Sequence, residues 1–341
     1  MSATKRIDFI DCAKGFAILL VIIGHTVREG GPLCAILRAV IFSFHMPLFF
    51  ILSSYTFRLS KDSNEFINKT KKAAVHLLVP VIVLFVLNSC YCLYTNSSQF
   101  YDIHFWRERL FSLIYSSGVQ TFYGNFNVPA IGMPWFFVAL FCGRSLYDYL
   151  HLRLGDSNYL FGVCILLSLI GTVLGYTMWL PFSMDIVLAI MPLFYYGDNM
   201  KKEKYNQSII ISFICWAVLF LLTSPGFSTW TYLELSVRRY PLYPICFIAA
   251  IYGTILICNI SKKVVGLGVV TSPLLFIGKN SFYLFAVHCA DYLPCILRLW
   301  KVTENELKNA ILRVCVDLLI FLFVVFVRYI ISKVLVKTKK I

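Results

Sequence analysis

Apolar stretches near the length of a membrane span recur from one end of this 341-residue chain to the other. A helix crosses the roughly 30 Å hydrocarbon core of a bilayer with about 20 apolar residues, and in lipid only helices and closed barrels satisfy their backbone hydrogen bonds. Hydrophobic residues make up 59% of the chain and charged residues only 14%. The pattern therefore predicts an all-α, polytopic membrane protein with a single domain, residues 1–341.

Ten helices are predicted from these stretches, with a long outer loop at 96–132 between the third and the fourth. They are placed at 7–27, 33–57, 74–95, 131–150, 157–176, 180–198, 206–224, 239–259, 272–297 and 309–334. An even number of spans puts both termini on one side of the membrane. Nineteen of the 31 Lys and Arg residues then fall in loops and tails on that side and ten on the other, which by the positive-inside rule makes it cytoplasmic.

The formal net charge of +14 raises the question of a nucleic-acid partner. Lys and Arg fall in short clusters between spans and at the C-terminus, a distribution that topology explains, so no such partner is expected. The twelve cysteines are scattered through apolar stretches without zinc-like spacing, and we expect neither a metal centre nor disulfides. Within the outer loop, the basic and aromatic stretch 101–111 fits either an amphipathic surface helix or a simple interfacial anchor, and we assign it no chemistry.

The first predicted helix carries ionisable residues at both ends of a short apolar segment. Ten apolar or small residues, Gly15 to Gly24, separate Lys14 from His25 and cover only about 15 Å, half of the hydrocarbon core. Eleven helical steps of about 100° come to about three turns, so both side chains share one face. Asp11 lies one turn before Lys14 and can pair with it. Ionisable groups at membrane depth are costly unless they face a partner or a water-filled cavity, which indicates a site inside the helix bundle.

Two histidines are candidate general bases, because neutral imidazole accepts a proton near neutral pH. His25 ends the first helix, where a hydrogen bond to a carbonyl is the alternative role. His45 is expected inside the second helix, two residues before Pro47, which frees a backbone carbonyl and favours a kink that opens room for a ligand. A buried polar contact is the alternative for His45.

Later helices hold further polar or aromatic candidates. Trp135 opens the fourth helix and fits either a ligand contact or the aromatic belt at the membrane interface. Asp185 lies inside the sixth, where a carboxylate is rare without a function. His288 lies in the ninth helix after Asn280 and Ser281, and these two also fit hydrogen-bonded packing between helices.

These candidates belong to an ordered set of short motifs. The set comprises Asp11-Cys-Ala-Lys-Gly with Val21-Ile-Ile-Gly-His25, Phe44-His-Met-Pro-Leu-Phe-Phe-Ile-Leu-Ser-Ser54-Tyr, Leu77-Leu-Val-Pro80, Pro134-Trp-Phe-Phe, Leu180-Pro-Phe-Ser-Met-Asp185, and Gly278-Lys-Asn-Ser281 with His288. Through this set the chain resembles the integral-membrane acyltransferase type 3 family, in particular its fucose 4-O-acetylase-like branch. Two positions depart from the family pattern: Ser53-Ser54 stands where members usually have Ser-Gly, and His76 where many have arginine.

The resemblance implies transfer of an acyl group, usually acetyl, from a cytoplasmic acyl-CoA to a hydroxyl of a cell-surface polysaccharide or its lipid-linked precursor. His25 matches the family's catalytic histidine, and His45 is a second catalytic candidate. Lys14 stands where many members carry arginine, although a lysine lacks the bidentate grip of a guanidinium. Transfer to the acceptor hydroxyl would proceed directly or through an acyl-enzyme.

The remaining expectations complete this interpretation. Donor-binding residues are expected to be Asp11, Lys14, Lys71 and Lys72, and acceptor-binding residues Trp135, Asp185 and His288. Acyl-CoA enters as a co-substrate with no tightly bound cofactor, and the protein is expected in a bacterial-type cytoplasmic membrane, in contact with lipid and with a glycan or lipid-linked glycan. The alternative from another class is a transporter or flippase for a sugar or anionic substrate, which would use the same buried charges as a translocation path.

Overall fold

The structure is a computed structural model that describes residues 7–27, 31–123, 126–202, 207–227, 231–267, 271–290 and 294–338. Its first nine helices are α1 Asp8–Thr26, α2 Pro32–Phe42, α3 His45–Thr56, α4 Ser63–Thr95, α5 Ile103–Tyr115, α6 Trp135–Leu154, α7 Asn158–Thr177, α8 Met184–Ala189 and α9 Met191–Lys202. They are followed by α10 Ile209–Thr223, α11 Ile245–Val264, α12 Thr271–Lys279, α13 Ser281–Ala290, α14 Pro294–Trp300 and α15 Glu306–Thr338.

The predicted outer loop 96–132 contains regular structure. It holds α5 and an antiparallel pair of short strands, β1 Thr121–Tyr123 and β2 Phe126–Val128, in which Phe122 lies opposite Asn127. Asp102 caps α5, because its carboxylate accepts a hydrogen bond from the backbone N–H of His104 at 2.8 Å. Apart from this hairpin the described fold is helical, as the all-α class predicts.

Helix breaks divide three of the predicted spans. The helix expected at 33–57 consists of α2 and α3, interrupted at Ser43 and Phe44, so His45 begins a helix and does not lie inside one. Pro47 lies in the first turn of α3, where its missing N–H interrupts no helical hydrogen bond, so it produces no kink beside His45. The helices expected at 180–198 and 272–297 are divided as well, since α8 meets α9 at Ile190 and α12 meets α13 at Asn280.

The third helix is longer than predicted, because α4 begins at Ser63 where the apolar pattern predicted a start near residue 74. The Asp62 side chain caps its first turn by accepting from the backbone N–H of Glu65 at 2.8 Å. Glu65 and Lys69 form an ion pair of 3.0 Å one turn apart, which adds modest helical stability. Hydropathy does not detect this polar extension, which carries Lys71 and Lys72.

Several helices have the length and composition to cross a membrane. Among the described residues the six candidates are Asp8–Thr26, Pro32–Thr56, Ser63–Thr95, Asn158–Thr177, Ile245–Val264 and Glu306–Val334. Large apolar side chains are exposed on their surfaces, for example Val173 on α7 and Leu319 on α15, as expected of helices that face lipid. The multi-pass character is confirmed, whereas ten spans with cytoplasmic termini stay a prediction, and residues 1–6 and 339–341 lie outside the described residues.

The chain divides into two compact units. The first comprises residues 1–41 and 257–341, and the second residues 42–256. In the first unit α1 and α12 approach backbone to backbone: a Cβ on Gly15 would overlap the carbonyl oxygen of Leu274, and a Cβ on Gly278 would overlap that of Asp11. Glycines permit this distance between membrane helices. The contact holds the start of α1, with Asp11 and Lys14, against α12.

In the second unit a glycine likewise allows the backbones of α3 and α9 to approach closely. A Cβ on Gly197 would overlap the carbonyl oxygen of Ile51. Next to this contact the Ser54 hydroxyl donates to the carbonyl oxygen of Phe194 at 2.6 Å and is buried. Small residues and a buried hydroxyl therefore join these two helices where lipid supplies no hydrophobic driving force.

Candidate active site

Helix α1 carries three of the predicted site residues in the first unit. It is continuous from Asp8 to Thr26, so the predicted common face of Lys14 and His25 follows from the observed helix. Asp11 is buried, while Lys14 and His25 are half-buried. Half-burial keeps the lysine and the imidazole partly accessible, as a donor contact and a general base require.

His288 on α13 is paired with a carboxylate on α15. Its Nδ1 lies 2.9 Å from Oδ2 of Asp317, and both side chains are fully buried. An ionised carboxylate only accepts hydrogen bonds, so Nδ1–H of a neutral His288 donates to Asp317 and the ring's lone pair lies on Nε2. The carboxylate thereby fixes both the tautomer and the orientation of the imidazole.

The structure brings His25 against this pair. The ring centroids of His25 and His288 are 5.7 Å apart, with the ring planes tilted by 44°. Two imidazoles, one oriented by a buried carboxylate, therefore lie side by side in the first unit. Such an arrangement can accept a proton at one ring and stabilise the resulting charge at the other.

Two arginines hold the end of α1 that carries His25. Arg38 Nη1 donates to the carbonyl oxygen of Gly24 at 2.8 Å, and Arg313 Nη1 donates to the Thr26 hydroxyl at 3.2 Å. Arg313 also stacks on the ring of Trp300, 4.5 Å from its centroid, and is only 5% exposed. Positive groups at a helix C-terminus satisfy its last carbonyls and complement its dipole. Gly24 and Thr26, the neighbours of His25 in the sequence, are thus each held by one arginine.

His45, the second catalytic candidate, belongs to the second unit. Its ring is buried and lies 4.5 Å from the Phe42 ring, centroid to centroid. An aromatic neighbour fits the alternative role of a buried contact as well as a catalytic one. The catalytic role of His45 stays a prediction.

The predicted donor-binding lysines lie on the polar extension of α4. Lys71 and Lys72 are exposed, and within the described residues neither has a hydrogen bond or an ion pair. Their neighbour Lys69 is engaged, since it donates to the carbonyl oxygens of Arg58 at 2.7 Å and Leu59 at 3.0 Å. Lys69 therefore closes the turn before α4, while Lys71 and Lys72 remain exposed point charges.

Asp185 has a structural partner in the second unit. Arg238 binds its carboxylate with two nitrogens, Nε at 2.6 Å and Nη2 at 3.2 Å, and both side chains are buried. The guanidinium also lies 3.8 Å from the Trp179 ring centroid, and its Nη1 donates to the Ser117 hydroxyl at 3.0 Å. The pair joins α8 to the connecting segments that carry Arg238 and Ser117. This structural role explains the buried carboxylate without a substrate. The acceptor-binding role of Asp185 stays a prediction.

Trp135, the other acceptor candidate in this unit, is buried at the start of α6. A Cβ on Gly118 would lie 2.7 Å from the Trp135 Cδ1, so the segment before β1 runs directly over the indole. This packing differs from a tryptophan at the lipid headgroups. Its contact with the acceptor stays a prediction.

Asp317 is the site residue that the sequence analysis missed. Its signal was present, because it is a lone carboxylate in the apolar run of α15, and such residues mark functional sites in membrane helices. Arg313, in the same helix, was assigned no role from the sequence. Arg238 was missed as the partner of Asp185, since nothing local connects positions so far apart.

Comparison with known protein families matches this chain to an acyltransferase family. The family model described as an acyltransferase domain matches residues 7–333, nearly the whole chain. Searches of curated proteins and of solved structures find no match to this chain. The match covers α1, α13 and most of α15, and so includes His25, His288 and Asp317.

Proposed function

The chain belongs to this acyltransferase domain family and is a membrane acyltransferase, and from that premise we propose an O-acetyltransferase that uses acyl-CoA. The acceptor is a hydroxyl of a cell-surface polysaccharide or of its lipid-linked precursor. The observation that carries the proposal is the half-buried His25 lying against the buried pair of His288 and Asp317.

His25 acts as the general base in this proposal. Its imidazole takes the proton of the acceptor hydroxyl while the oxygen attacks the carbonyl carbon of the thioester. The carbon–sulfur bond then breaks, and the departing CoA thiolate takes the proton back from the imidazolium. His288, oriented by Asp317, supports the charge that develops on His25. Arg38 and Arg313 fix the end of α1 and so keep the base in position. Accurate positioning of the reacting groups contributes much of the rate of such a transfer.

The proposed donor contacts are Lys14 on α1 and, separately, Lys71 and Lys72 on the polar extension of α4. Lys14 replaces the commoner arginine with a point charge, and the exposed Lys71 and Lys72 are point charges suited to CoA phosphates. Asp11 lies one turn before Lys14, at the spacing that allows the two side chains to pair. Trp135 and Asp185 are assigned to the acceptor side in this proposal, with Asp185 acting through the conformation that its pair with Arg238 maintains. The predicted acceptor contact of His288 stays a prediction beside its support of His25.

The proposed topology has ten spans in a bacterial-type cytoplasmic membrane, with both termini in the cytoplasm. Single cysteines introduced at Lys201 and Arg107, in a background without native cysteines, test it in intact cells. We expect a membrane-impermeant thiol reagent to label position 107 and to reach position 201 only after the cells are opened. Labelling of both positions from the same side would contradict the proposed topology.

Radiolabelled acetyl-CoA and a crude lipid-linked glycan fraction test the activity directly. We expect purified protein in lipid vesicles to release CoA and to transfer label to the glycan. A transporter or flippase would move substrate across the vesicle membrane without producing labelled glycan or free CoA. That second outcome would refute the proposed reaction.

A further inference from the structure

Residues of α5 and of β2 with the position after it form a pocket that the acyl-transfer chemistry above does not use. The pocket has a volume of about 220 Å³ and lies between α5 and β2. Its lining residues are Arg107, Glu108, Phe111, Phe126, Asn127 and Pro129. Aromatic rings and a few polar groups in one concave site are typical of small-molecule binding.

One wall of the pocket is aromatic. Phe111 and Phe126 meet edge to face, with ring centroids 5.6 Å apart and planes at 87°. Tyr115 packs behind Phe126 at 5.9 Å, while Phe126 itself remains 41% exposed. An exposed ring held by two others offers a rigid π face, which attracts the partially positive C–H groups of a sugar ring.

The lining of the pocket also carries a chain of hydrogen bonds. Asn127 Nδ2 donates to Glu108 Oε1 at 3.0 Å, and Asn127 Oδ1 accepts from Gln120 Nε2 at 2.9 Å. These bonds fix the orientation of the amide and of the carboxylate. Each group retains acceptor capacity, so together they offer oriented partners for sugar hydroxyls.

Arg107 adds a positive charge that the fold does not use. Within the described residues its side chain has no hydrogen bond, ion pair or ring contact, and it is exposed. Arg109, two residues along the same helix, is occupied: it donates to Asn88 Oδ1 at 2.6 Å and stacks on Phe105. A guanidinium that stabilises no contact and lines a pocket is suited to bind a carboxylate with two hydrogen bonds.

The size of the pocket limits its occupant. Pockets for drug-sized ligands span roughly 300–1,000 Å³, and this one, at about 220 Å³, is smaller. We propose that the pocket binds one acidic sugar unit of the acceptor glycan, with its carboxylate on Arg107, its hydroxyls on Glu108 and Asn127, and its ring on Phe126. The identity of this saccharide as part of the acceptor rests on the proposed function, whereas the binding itself does not.

Binding is measured on the full chain in lipid nanodiscs by saturation-transfer NMR, with trigalacturonate as the acidic probe and maltotriose as the neutral one. We expect saturation to reach the ring protons of trigalacturonate. The Arg107→Gln variant should bind it about tenfold or more weakly, because a charge-assisted bidentate contact is lost. Arg107→Lys should retain part of the affinity for trigalacturonate. Phe126→Ala should weaken the binding of both saccharides.

Phe122→Ala is the matched control, because Phe122 is 64% exposed on the same hairpin but does not line the pocket. We expect this variant to bind trigalacturonate like the wild type. The proposal would be overturned if neither saccharide bound, or if Phe122→Ala and Phe126→Ala reduced the affinity for trigalacturonate equally. If Arg107→Gln and Phe126→Ala changed only the attachment of α5 and the hairpin to lipid vesicles, these elements would be an interfacial anchor and the proposal would likewise be wrong.

Saccharide binding and label transfer, measured on the same protein, separate this proposal from the proposed function. Saccharide binding by a protein that transfers no label from acetyl-CoA would refute the transferase reaction and leave the pocket supported. Label transfer without saccharide binding in the pocket would support the transferase reaction and refute the proposed saccharide site.

Discussion

Substitution of Gly278 by alanine tests the backbone contact that holds the start of α1. A Cβ at this position would overlap the carbonyl oxygen of Asp11 and would lie 2.6 Å from its carbonyl carbon, where ordinary contacts begin at 3.4 Å. Both obstructing atoms belong to the backbone, so no side-chain rotation relieves the overlap and α1 must move away from α12. Inserting one carbon into a closely packed interface costs about 1–3 kcal/mol, which we expect as the loss in the free energy of unfolding.

Gly162→Ala is the matched control. Gly162 is an exposed glycine inside α7 with nothing within 4 Å of the added Cβ. Replacing a helical glycine by alanine there favours the helix by about 0.5–1 kcal/mol. The two variants should therefore change stability in opposite directions.

Unfolding of both variants by sodium dodecyl sulfate in mixed micelles, followed by circular dichroism, measures the difference. Displacement of α1 also moves Asp11 and Lys14, so Gly278→Ala should reduce acyl transfer under conditions where the protein remains folded. Wild-type stability of Gly278→Ala would refute the proposed helix contact. Equal destabilisation of both variants would refute it as well.

Three further predictions concern the two buried networks and Lys14. Asp317→Asn should reduce turnover at least tenfold and by up to about 10⁴-fold, because an amide no longer fixes the His288 tautomer; unchanged turnover in a steady-state assay would contradict this role. Arg238→Gln should lower the free energy of unfolding by about 3–5 kcal/mol, because it leaves Asp185 buried without its partner, and the double variant with Asp185→Leu and Arg238→Met should recover much of that loss. Lys14→Arg should retain much of the activity while Lys14→Ala raises the KM for acetyl-CoA, and wild-type kinetics of the alanine variant would exclude a donor contact.

Local features of the site could be predicted from the sequence, because helical periodicity is local. The ends of α1 and the common face of Lys14 and His25 needed only the spacing along one helix. The placement of the predicted helices largely followed from hydropathy. The breaks at Phe44, Ile190 and Asn280 did not, because the apolar run continues through them and hydropathy does not report whether backbone hydrogen bonds are continuous.

The partners of the site residues could not be predicted, because they depend on how separate helices pack. Asp317 meets His288, 29 residues away along the chain, only when α13 and α15 lie side by side, and Arg238 meets Asp185 across 53 residues. An intramembrane carboxylate indicates that some partner exists, but its position does not identify which. Asp317 was therefore recognisable as unusual, and its pairing with His288 became apparent only in the fold.

Acyl transfer by the His25→Gln variant is the decisive test of whether His25 is the general base. Glutamine retains hydrogen bonding at similar size but does not accept a proton near neutral pH. With the variant present in vesicles at the wild-type level and binding acetyl-CoA normally, we expect the rate of label transfer to the glycan to fall by about 10² to 10⁴-fold. A rate close to that of the wild type would show that His25 is not the base.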